Sequence, residues 1–270
     1  MITLPAPDSL LEDLVTPVPL GDGRFSVTFP DGWQQGRGAF GGLVLAALVR
    51  VVEAVAEPGR TLRSLTAEIC GPVQPGEAIL QTEILRAGSA VSTIAARLLQ
   101  AGEVQAHVVG VLGKQRATDC DEVHLTVPKQ THWKDLPLVP VGPPFGPDFG
   151  KFYEFRSTGA VPFLGISDRK DTSGWIRPRH ANVRDAAWVV ACADAWWPAL
   201  FTQVAVPRPM ATVAFTLQLL CDTTTLPDAP LQFFGRTLVV NDGYVVEHRE
   251  LWSEDGRLVA LNEQTIAVIK

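Results

Sequence analysis

One acidic residue interrupts an apolar helical pattern in the second half of the chain, within AWVVACADAWWPAL (residues 187–200). Four apolar residues recur at helical spacing and mark one face of this segment: Val183, Ala187, Val190 and Trp197. Asp194 falls on the same face, where an unpaired ionised carboxylate would cost several kcal/mol, so it must be hydrogen-bonded or protonated. A desolvated carboxylate with a raised pKa is suited to take a proton from water. The alternative is a structural aspartate that caps a loop or faces solvent near Pro198.

Two neutral polar residues in predicted strands could act beside this carboxylate. Gln264 lies in LVALNEQTIAVI (residues 258–269), where both alternating faces of the strand turn polar. A neutral amide can hold a water molecule without competing for its proton, although a hydrogen-bonded core glutamine is the commoner case. Thr212 begins a strand, where threonine is a common β-former, and by itself it indicates almost nothing.

Two further pairs of residues could bind substrate. Gly41 and Gly42 begin a predicted helix, where free N–H groups can stabilise a developing oxyanion; close packing of the helix on a sheet explains them equally well. Arg177 and Arg179, in WIRPRH, precede the second helix and form a positive site suited to phosphate groups. A solvated loop is the more frequent role of such a short basic run.

The elements that must position these residues occur twice in the chain. A helix predicted from residue 39 to Pro58-Gly59, and another over residues 183–201, each precede β-branched segments punctuated by glycine, which predicts antiparallel strands. Matching landmarks recur at a nearly constant offset: Pro75 and Pro230, Gly88 and Gly243, Gly102 and Gly256. A candidate strand also precedes each helix, GRFSVTFP in the first half and KFYEFRS in the second. The pattern predicts a duplicated α+β unit in which about five antiparallel strands wrap one long helix.

The duplication also predicts where the units begin and end. Residues 1–115 form the first unit, residues 116–150 form a Pro-rich surface linker, and residues 151–270 form the second unit with the proposed site. The first helix carries no acid in its middle, so we expect one active centre per chain.

Composition restricts the class of protein. The chain has 270 residues, of which 46% are hydrophobic and 19% charged, and its net charge is -6 without a Lys/Arg cluster, which disfavours non-specific nucleic-acid binding. The four cysteines lie far apart and lack metal-ligand spacing. The N-terminal segment has no basic region typical of a signal peptide, and the stretch FGGLVLAALV is too short to span a bilayer. We therefore expect a cytoplasmic protein without membrane insertion.

Seven motifs of the chain can be compared with known families. The first half carries AFGGLVLAAL, LRSLTAEICGPVQPGE and LRAGSAVSTIAARLLQAGEV; the second carries SGWIRPR, VVACADAWWPAL, MATVAFTLQL and DGRLVALNEQTIAVI. Together these motifs resemble the acyl-CoA thioesterase II family, whose members have a double hotdog fold. The resemblance covers residues from about 24 to 270, except for the linker. It departs from the family pattern after the threonine, at Ala214 and Phe215, and after the glutamine, at Thr265.

The resemblance implies hydrolysis of acyl-CoA by a water that Asp194, Thr212 and Gln264 position in the C-terminal hotdog. It implies acyl-CoA as the substrate, with Arg177 and Arg179 near the coenzyme A phosphates, and no metal or redox cofactor. The alternative is a non-catalytic protein that binds acyl groups or other hydrophobic ligands on the same scaffold, because fold does not determine function. A hotdog dehydratase is less well supported, since neither predicted helix contains a histidine. Exposed sheet edges leave a homo-oligomer open.

Overall fold

Two long helices and one large sheet form the core of the protein. The computed structural model describes residues 9–119, 122–163, 168–206 and 208–269. The α-helices are α1 Leu11–Leu14, α2 Gly41–Ala54 and α3 Ala186–Ala195, with short 3₁₀ helices at Trp133–Asp135, Asp148–Phe152, Ala199–Thr202 and Thr223–Thr225. The strands of the first half are β1 Val18–Gly21, β2 Arg24–Phe29, β3 Gln34–Gln35, β4 Gly38–Ala39, β5 Thr61–Ile69, β6 Gly76–Ala87, β7 Val91–Gln100 and β8 Glu103–Gly113. Those of the second half are β9 Tyr153–Ser157, β10 Asp171–Pro178, β11 Met210–Leu219, β12 Leu231–Asn241, β13 Tyr244–Trp252 and β14 Leu258–Val268.

The sheet joins both halves of the chain. Its 12 strands lie in the order β1-β2-β6-β7-β8-β5-β11-β14-β13-β12-β10-β9, with β5 and β11 paired antiparallel at the centre. The expectation of about five strands per unit was wrong, because each half contributes six strands to a continuous sheet. Of these 12 strands, the sequence pattern missed two: β1, which is exposed along its whole length, and β10, which contains Gly174 and Pro178. Glycine and proline reduce strand propensity, so neither segment shows a clear alternating pattern.

Both predicted helices are present, and both are shorter than expected, the second by more than the first. α3 begins after Asp185, whose carboxylate accepts a hydrogen bond from the Trp188 amide at 3.0 Å. It ends at Ala195, because Trp196 is extended and Pro198 follows soon afterwards. Val183 therefore lies outside the helix and is exposed, so its assignment to the apolar face was wrong.

The two helices pack side by side in opposite directions on the inner face of the sheet. The start of α2 meets the end of α3, since a Cβ on Gly42 would lie 3.1 Å from the Ala191 carbonyl oxygen. The end of α2 meets the start of α3, where Arg50 and Asp185 form an ion pair of 2.7 Å. Neighbouring helix and sheet cover α3 on all sides, which explains why all ten of its residues are buried.

Part of the predicted linker packs on the opposite face of the sheet from α3. The Trp175 indole N–H donates to the Thr131 carbonyl at 2.9 Å, and the Gln232 amide donates to the Pro128 carbonyl. Val139 also forms an isolated bridge with Phe155 of β9. This segment therefore covers the outer surface of the C-terminal strands.

Candidate active site

Three of the sequence-predicted residues meet beneath the C-terminal end of α3. Asp194 is 7% exposed, and its Oδ1 accepts a hydrogen bond from Gln264 Nε2 at 3.1 Å. The Thr212 hydroxyl donates to Gln264 Oε1 at 2.9 Å. The alternative in which Asp194 faces solvent is therefore wrong.

A β-bulge accounts for the position of Thr212. The register between β11 and β14 pairs Thr212 with Ile266 and then Ala214 with Thr265, so one extra residue lies between these pairs. Without it, alternation would point Thr212 away from the face that carries Gln264. The bulge brings the hydroxyl to the amide.

The orientation of the Gln264 amide is fixed by its neighbours. Its NH₂ group donates to Asp194 and, at 3.1 Å, to Asn262 Oδ1. The Asn262 amide in turn donates to the Thr216 carbonyl at 2.6 Å. Gln264 is 1% exposed and has both ends of its amide satisfied, as a buried polar network requires.

The first half of the chain completes the site through the start of α2. The Gly42 backbone amide hydrogen-bonds to the Asp194 carboxylate, and Phe40 at the N-cap supplies no side-chain cap. A Cβ on Gly41 would lie 2.8 Å from Asp194 Oδ2 and 3.0 Å from Ile69 Cδ1. The absence of a side chain at Gly41 thus permits the approach of a helix N-terminus, with its partial positive charge, to the carboxylate.

Burial raises the pKa of Asp194 above its ordinary value. Arg249 has the largest opposing effect, followed by the hydrogen bonds from the Gln264 side chain and the Gly42 amide. A carboxylate that is desolvated but still supplied with donors can remain ionised and accept a proton during reaction.

Sequence reasoning missed two charged residues close to Asp194. Arg249 Nε donates to Glu247 Oε1 at 2.8 Å, and both side chains lie on the inner face of β13. A signal was present, because alternation in YVVEHRELW places both charges on the same face as Val245 and Leu251, which are buried.

The two predicted phosphate-binding arginines are not brought to Asp194. Arg177 and Arg179 line a separate pocket of about 160 Å³ near the start of α3, whereas Asp194 lies near its end. Arg177 Nε donates to Glu154 at 2.9 Å, and Arg179 Nε donates to the Lys151 carbonyl at 3.0 Å. The other lining residues are Pro178, Ala181, Arg184, Trp188, Asp228 and Ala229.

The three departures from the family pattern occupy different faces of the sheet. Phe215 is fully buried and pairs with Gln264 in the register, so it lies on the inner face beside the site. Ala214 and Thr265 pair with each other one position along, which places them on the opposite face. Of the three, Phe215 is therefore the one that can shape the site directly.

Neither a metal site nor a helix able to span a membrane is found among the described residues. Within the part of the chain that the structure describes, no group of three or more His, Cys, Asp or Glu side chains could hold a metal ion. Among the same residues, no helix is long and apolar enough to cross a membrane.

Comparison with protein families gives a match over most of the chain. Residues 29–113 match a model described as the acyl-CoA thioesterase N-terminal domain, and residues 121–268 match one described as the acyl-CoA thioesterase C-terminal domain. No curated protein sequence matches the chain.

Solved structures share the fold at low sequence identity. A hot dog protein of unknown function from Alicyclobacillus acidocaldarius is 22% identical, with a TM-score of 0.88 over 96% of this chain and 98% of that one. A candidate thioesterase II from Thermobifida fusca is 20% identical, with a TM-score of 0.83 over 98% of this chain and 99% of that one. An acyl-CoA thioesterase II from Mycobacterium marinum is 16% identical, with a TM-score of 0.75 over 96% of this chain and 98% of that one. These likenesses establish the hotdog fold.

Proposed function

The chain belongs to the acyl-CoA thioesterase II family, and from this premise we propose that it hydrolyses acyl-CoA to a free acid and coenzyme A at the site around Asp194. The observation that carries the proposal is the hydrogen-bonded set of Asp194, Gln264 and Thr212, closed by the Gly42 amide from the other half of the chain. Attack of water on a thioester needs a base and donors for the oxyanion. The site supplies a buried carboxylate as the base, and neutral donors and a helix N-terminus beside it.

In the proposed reaction, Asp194 takes a proton from a water molecule held by the Gln264 amide and the Thr212 hydroxyl. The water oxygen bonds to the thioester carbonyl carbon, and the electron pair of the C=O double bond moves onto the carbonyl oxygen. The backbone N–H of Gly41, at the start of α2, stabilises that oxyanion, since the Gly42 N–H already donates to Asp194. Collapse of the tetrahedral intermediate breaks the C–S bond, and the coenzyme A thiolate receives the proton from Asp194.

We assign the remaining parts of the substrate by their chemistry. We place the acyl chain beside Phe215, among the apolar side chains between the helices and the sheet. Arg177 and Arg179 stay our candidates for the coenzyme A phosphates, because their pocket also contains a third arginine, Arg184.

Separate Arg177→Gln and Arg179→Gln variants test this assignment of the phosphates. Loss of a phosphate contact should raise KM about tenfold and leave kcat unchanged, because the contact is made equally in ground and transition states. Unchanged KM in both variants would remove this pocket from the substrate path.

The central experiment measures thiol release from a chain-length series of acyl-CoAs by the wild-type protein and by Asp194→Asn. We expect release from at least one chain length, and a fall in kcat of about a hundredfold or more in the variant, which keeps the shape but loses the base. Saturable binding without release at any length would instead favour the ligand-binding alternative. Full activity of Asp194→Asn would reject the role of the carboxylate.

A further inference from the structure

We propose that the buried pair of Arg249 and Glu247 is a positioning device for Asp194, which holds the end of α3 in place and keeps the carboxylate ionised. This inference rests on the proposed function, since it concerns the same carboxylate. It assigns a role to two residues outside the set that would contact the substrate or the reacting water.

The pair fastens both sides of the turn that follows Asp194. α3 ends at Ala195, so the Ala193 carbonyl has no partner within the helix. Arg249 Nη1 donates to that carbonyl at 2.8 Å, and Glu247 Oε2 accepts a hydrogen bond from the Ala199 amide at 2.7 Å. The residue before Asp194 and the chain beyond the turn are therefore both attached to strand β13.

The register of the sheet places the pair directly beside the site. Glu247 pairs with Gln264, and Arg249 pairs with Asn262, so the four side chains form two adjacent rows on the inner face. Arg249 is 1% exposed and Glu247 is fully buried. The guanidinium also lies 5.7 Å from the centre of the Phe233 ring, where a cation is favoured.

The first half of the chain shows that the fold does not need these charges. In the first half, strands β7 and β8 correspond to β13 and β14. The pair of Ile94 and Gly110 stands at the position of Glu247 and Gln264, and the pair of Ala96 and Val108 stands at the position of Arg249 and Asn262. These residues support α2 as Glu247 and Arg249 support α3, and Ile94, Ala96 and Val108 are buried and apolar. Because burying an ion pair costs free energy that apolar residues avoid, the pair in the second half calls for a local reason.

The charges around Asp194 supply that reason. Tyr153 and Cys192 also face this region, and burial raises the pKa of both above their ordinary values, so both are neutral near pH 7. The Gln264 side chain and the Gly42 amide, which donate to the carboxylate, are neutral, and so is the Thr212 hydroxyl. Arg249 thus carries the full positive charge that offsets the cost of burying the ionised carboxylate, and Glu247 orients the guanidinium.

The test compares three variants. Glu247→Gln/Arg249→Met removes both charges together, so neither is left unpaired, whereas Arg249→Lys keeps the positive charge. Arg60→Met is the control, because Arg60 is a buried arginine of the first half, bonded to Ser92 and the Gly88 carbonyl.

Two readouts separate positioning from simple stability. The first is the pH dependence of kcat for thiol release, and the second is the carboxyl carbon-13 NMR titration of Asp194, assigned by its loss in Asp194→Asn. We expect the double variant to move both midpoints up by about one pH unit, since loss of the cation favours the protonated acid. Arg249→Lys should stay within about half a unit of wild type. Arg60→Met should lower the melting temperature and move neither midpoint.

The outcomes distinguish this inference from the proposed function. A folded double variant whose two midpoints match wild type would overturn the role of the pair. Absence of thiol release by the wild-type protein would contradict the proposed function, while the NMR titration would still report on the pair. If the double variant fails to fold, Glu247→Gln/Arg249→Gln, which removes both charges but keeps two amides that can hydrogen-bond, takes its place. Midpoints raised by about one pH unit would support the role of the pair, and midpoints equal to wild type would overturn it.

Discussion

At the scale of single residues, the site depends on which way one amide points. The Thr212 hydroxyl donates to the Gln264 amide oxygen, so the amide NH₂ group points toward Asp194 and donates to it. Rotation of the amide would break both hydrogen bonds. The hydrogen bond from Thr212 to Gln264 therefore determines whether Asp194 faces the donor end or the acceptor end of the amide.

Thr212→Val removes the hydroxyl and keeps the side-chain shape. We expect kcat to fall about tenfold to a hundredfold, because the Gln264 oxygen loses its donor and the amide can then turn its oxygen toward the carboxylate. Thr212→Ser, the matched control, should keep most of the activity. Steady-state thiol release at saturating acyl-CoA measures both, and equal activity of the two variants would show that the hydroxyl has no role.

Gly41→Ala tests the close approach of the two halves. The added Cβ would meet the Asp194 carboxylate at 2.8 Å, so we expect a displaced carboxylate and a loss of kcat of about tenfold or more. Gly113→Ala is the control, since its Cβ would make ordinary contact at 3.6 Å. Activity in Gly41→Ala equal to that of the control would mean that the site tolerates separation from α2.

Some of these residues could be predicted from the sequence, and others could not. Asp194 stands out as a charge on an apolar helix face, and polar residues in mid-strand mark Gln264. Thr212 depended on the family resemblance, because its position results from a bulge that alternation does not reveal. Arg249 and Glu247 had a visible pattern, but their role appears only once the end of α3 is seen beside them.

At the scale of elements, a second charged cluster lies at the opposite end of the helix pair. Arg50 of α2 binds Asp185, the residue that caps α3, and Glu53 lies one turn further along α2. Burial and the charge of Asp185 raise the pKa of Glu53 to about 7, against the opposing effects of Arg50 and the Leu62 amide.

This shift predicts how stability depends on pH. Between the ordinary Glu pKa of 4.5 and about 7, the folded protein keeps a proton on Glu53 that the unfolded chain releases, so the free energy of unfolding falls as pH rises. Glu53→Gln should remove this contribution and stabilise the protein at pH 8 by at most about 3 kcal/mol, with little change at pH 4.5.

Urea unfolding at the two pH values measures the effect. Glu83→Gln, at an exposed glutamate of β6, is the control and should follow the wild-type pH dependence. A Glu53→Gln variant less stable than wild type at pH 8 would contradict the predicted sign.

Element positions were easier to predict than element ends. The buried helices follow from continuous apolar segments, but the end of α3 depends on the Asp185 cap and the turn before Pro198. The two strands of the large sheet that were not predicted, β1 and β10, lack a clear alternating pattern. Hydrogen bonding to β2 and to β12 places them in the sheet.

At the scale of the whole molecule, the two halves are related structurally but differ in chemistry. The registers make Leu62 the counterpart of Thr212 and Gly110 the counterpart of Gln264. A Cβ on Gly110 would lie 2.7 Å from the Val52 side chain, so an apolar residue of α2 stands where α3 places its aspartate. The first half thus lacks the groups for the proposed reaction at this position.

We therefore predict one active centre per chain. Isothermal titration of Asp194→Asn with a non-hydrolysable thioether analogue of acyl-CoA that keeps the carbonyl should give a stoichiometry of about one ligand per chain, because the apolar counterpart site cannot hold the polar carbonyl. Two equivalent sites per chain would contradict this interpretation of the duplication.

The continuity of the sheet was the part of the architecture that the repeat did not reveal. A duplication predicts two similar units but says nothing of how their edges meet. Here β5 and β11 pair about Thr66 and Thr216, so the backbone groups at both inner edges are satisfied across the junction. The same junction brings α2 beside α3 and lets one half complete the site of the other.

The most direct measurement of the central claim is a single turnover of acyl-CoA in water enriched in oxygen-18, with excess protein. If Asp194 activates a water held by Thr212 and Gln264, the free acid formed in the first turnover should contain the heavy oxygen and the protein should contain none. Unlabelled acid in the first turnover, with heavy oxygen in the Asp194 carboxylate, would show direct attack by Asp194 and contradict the account.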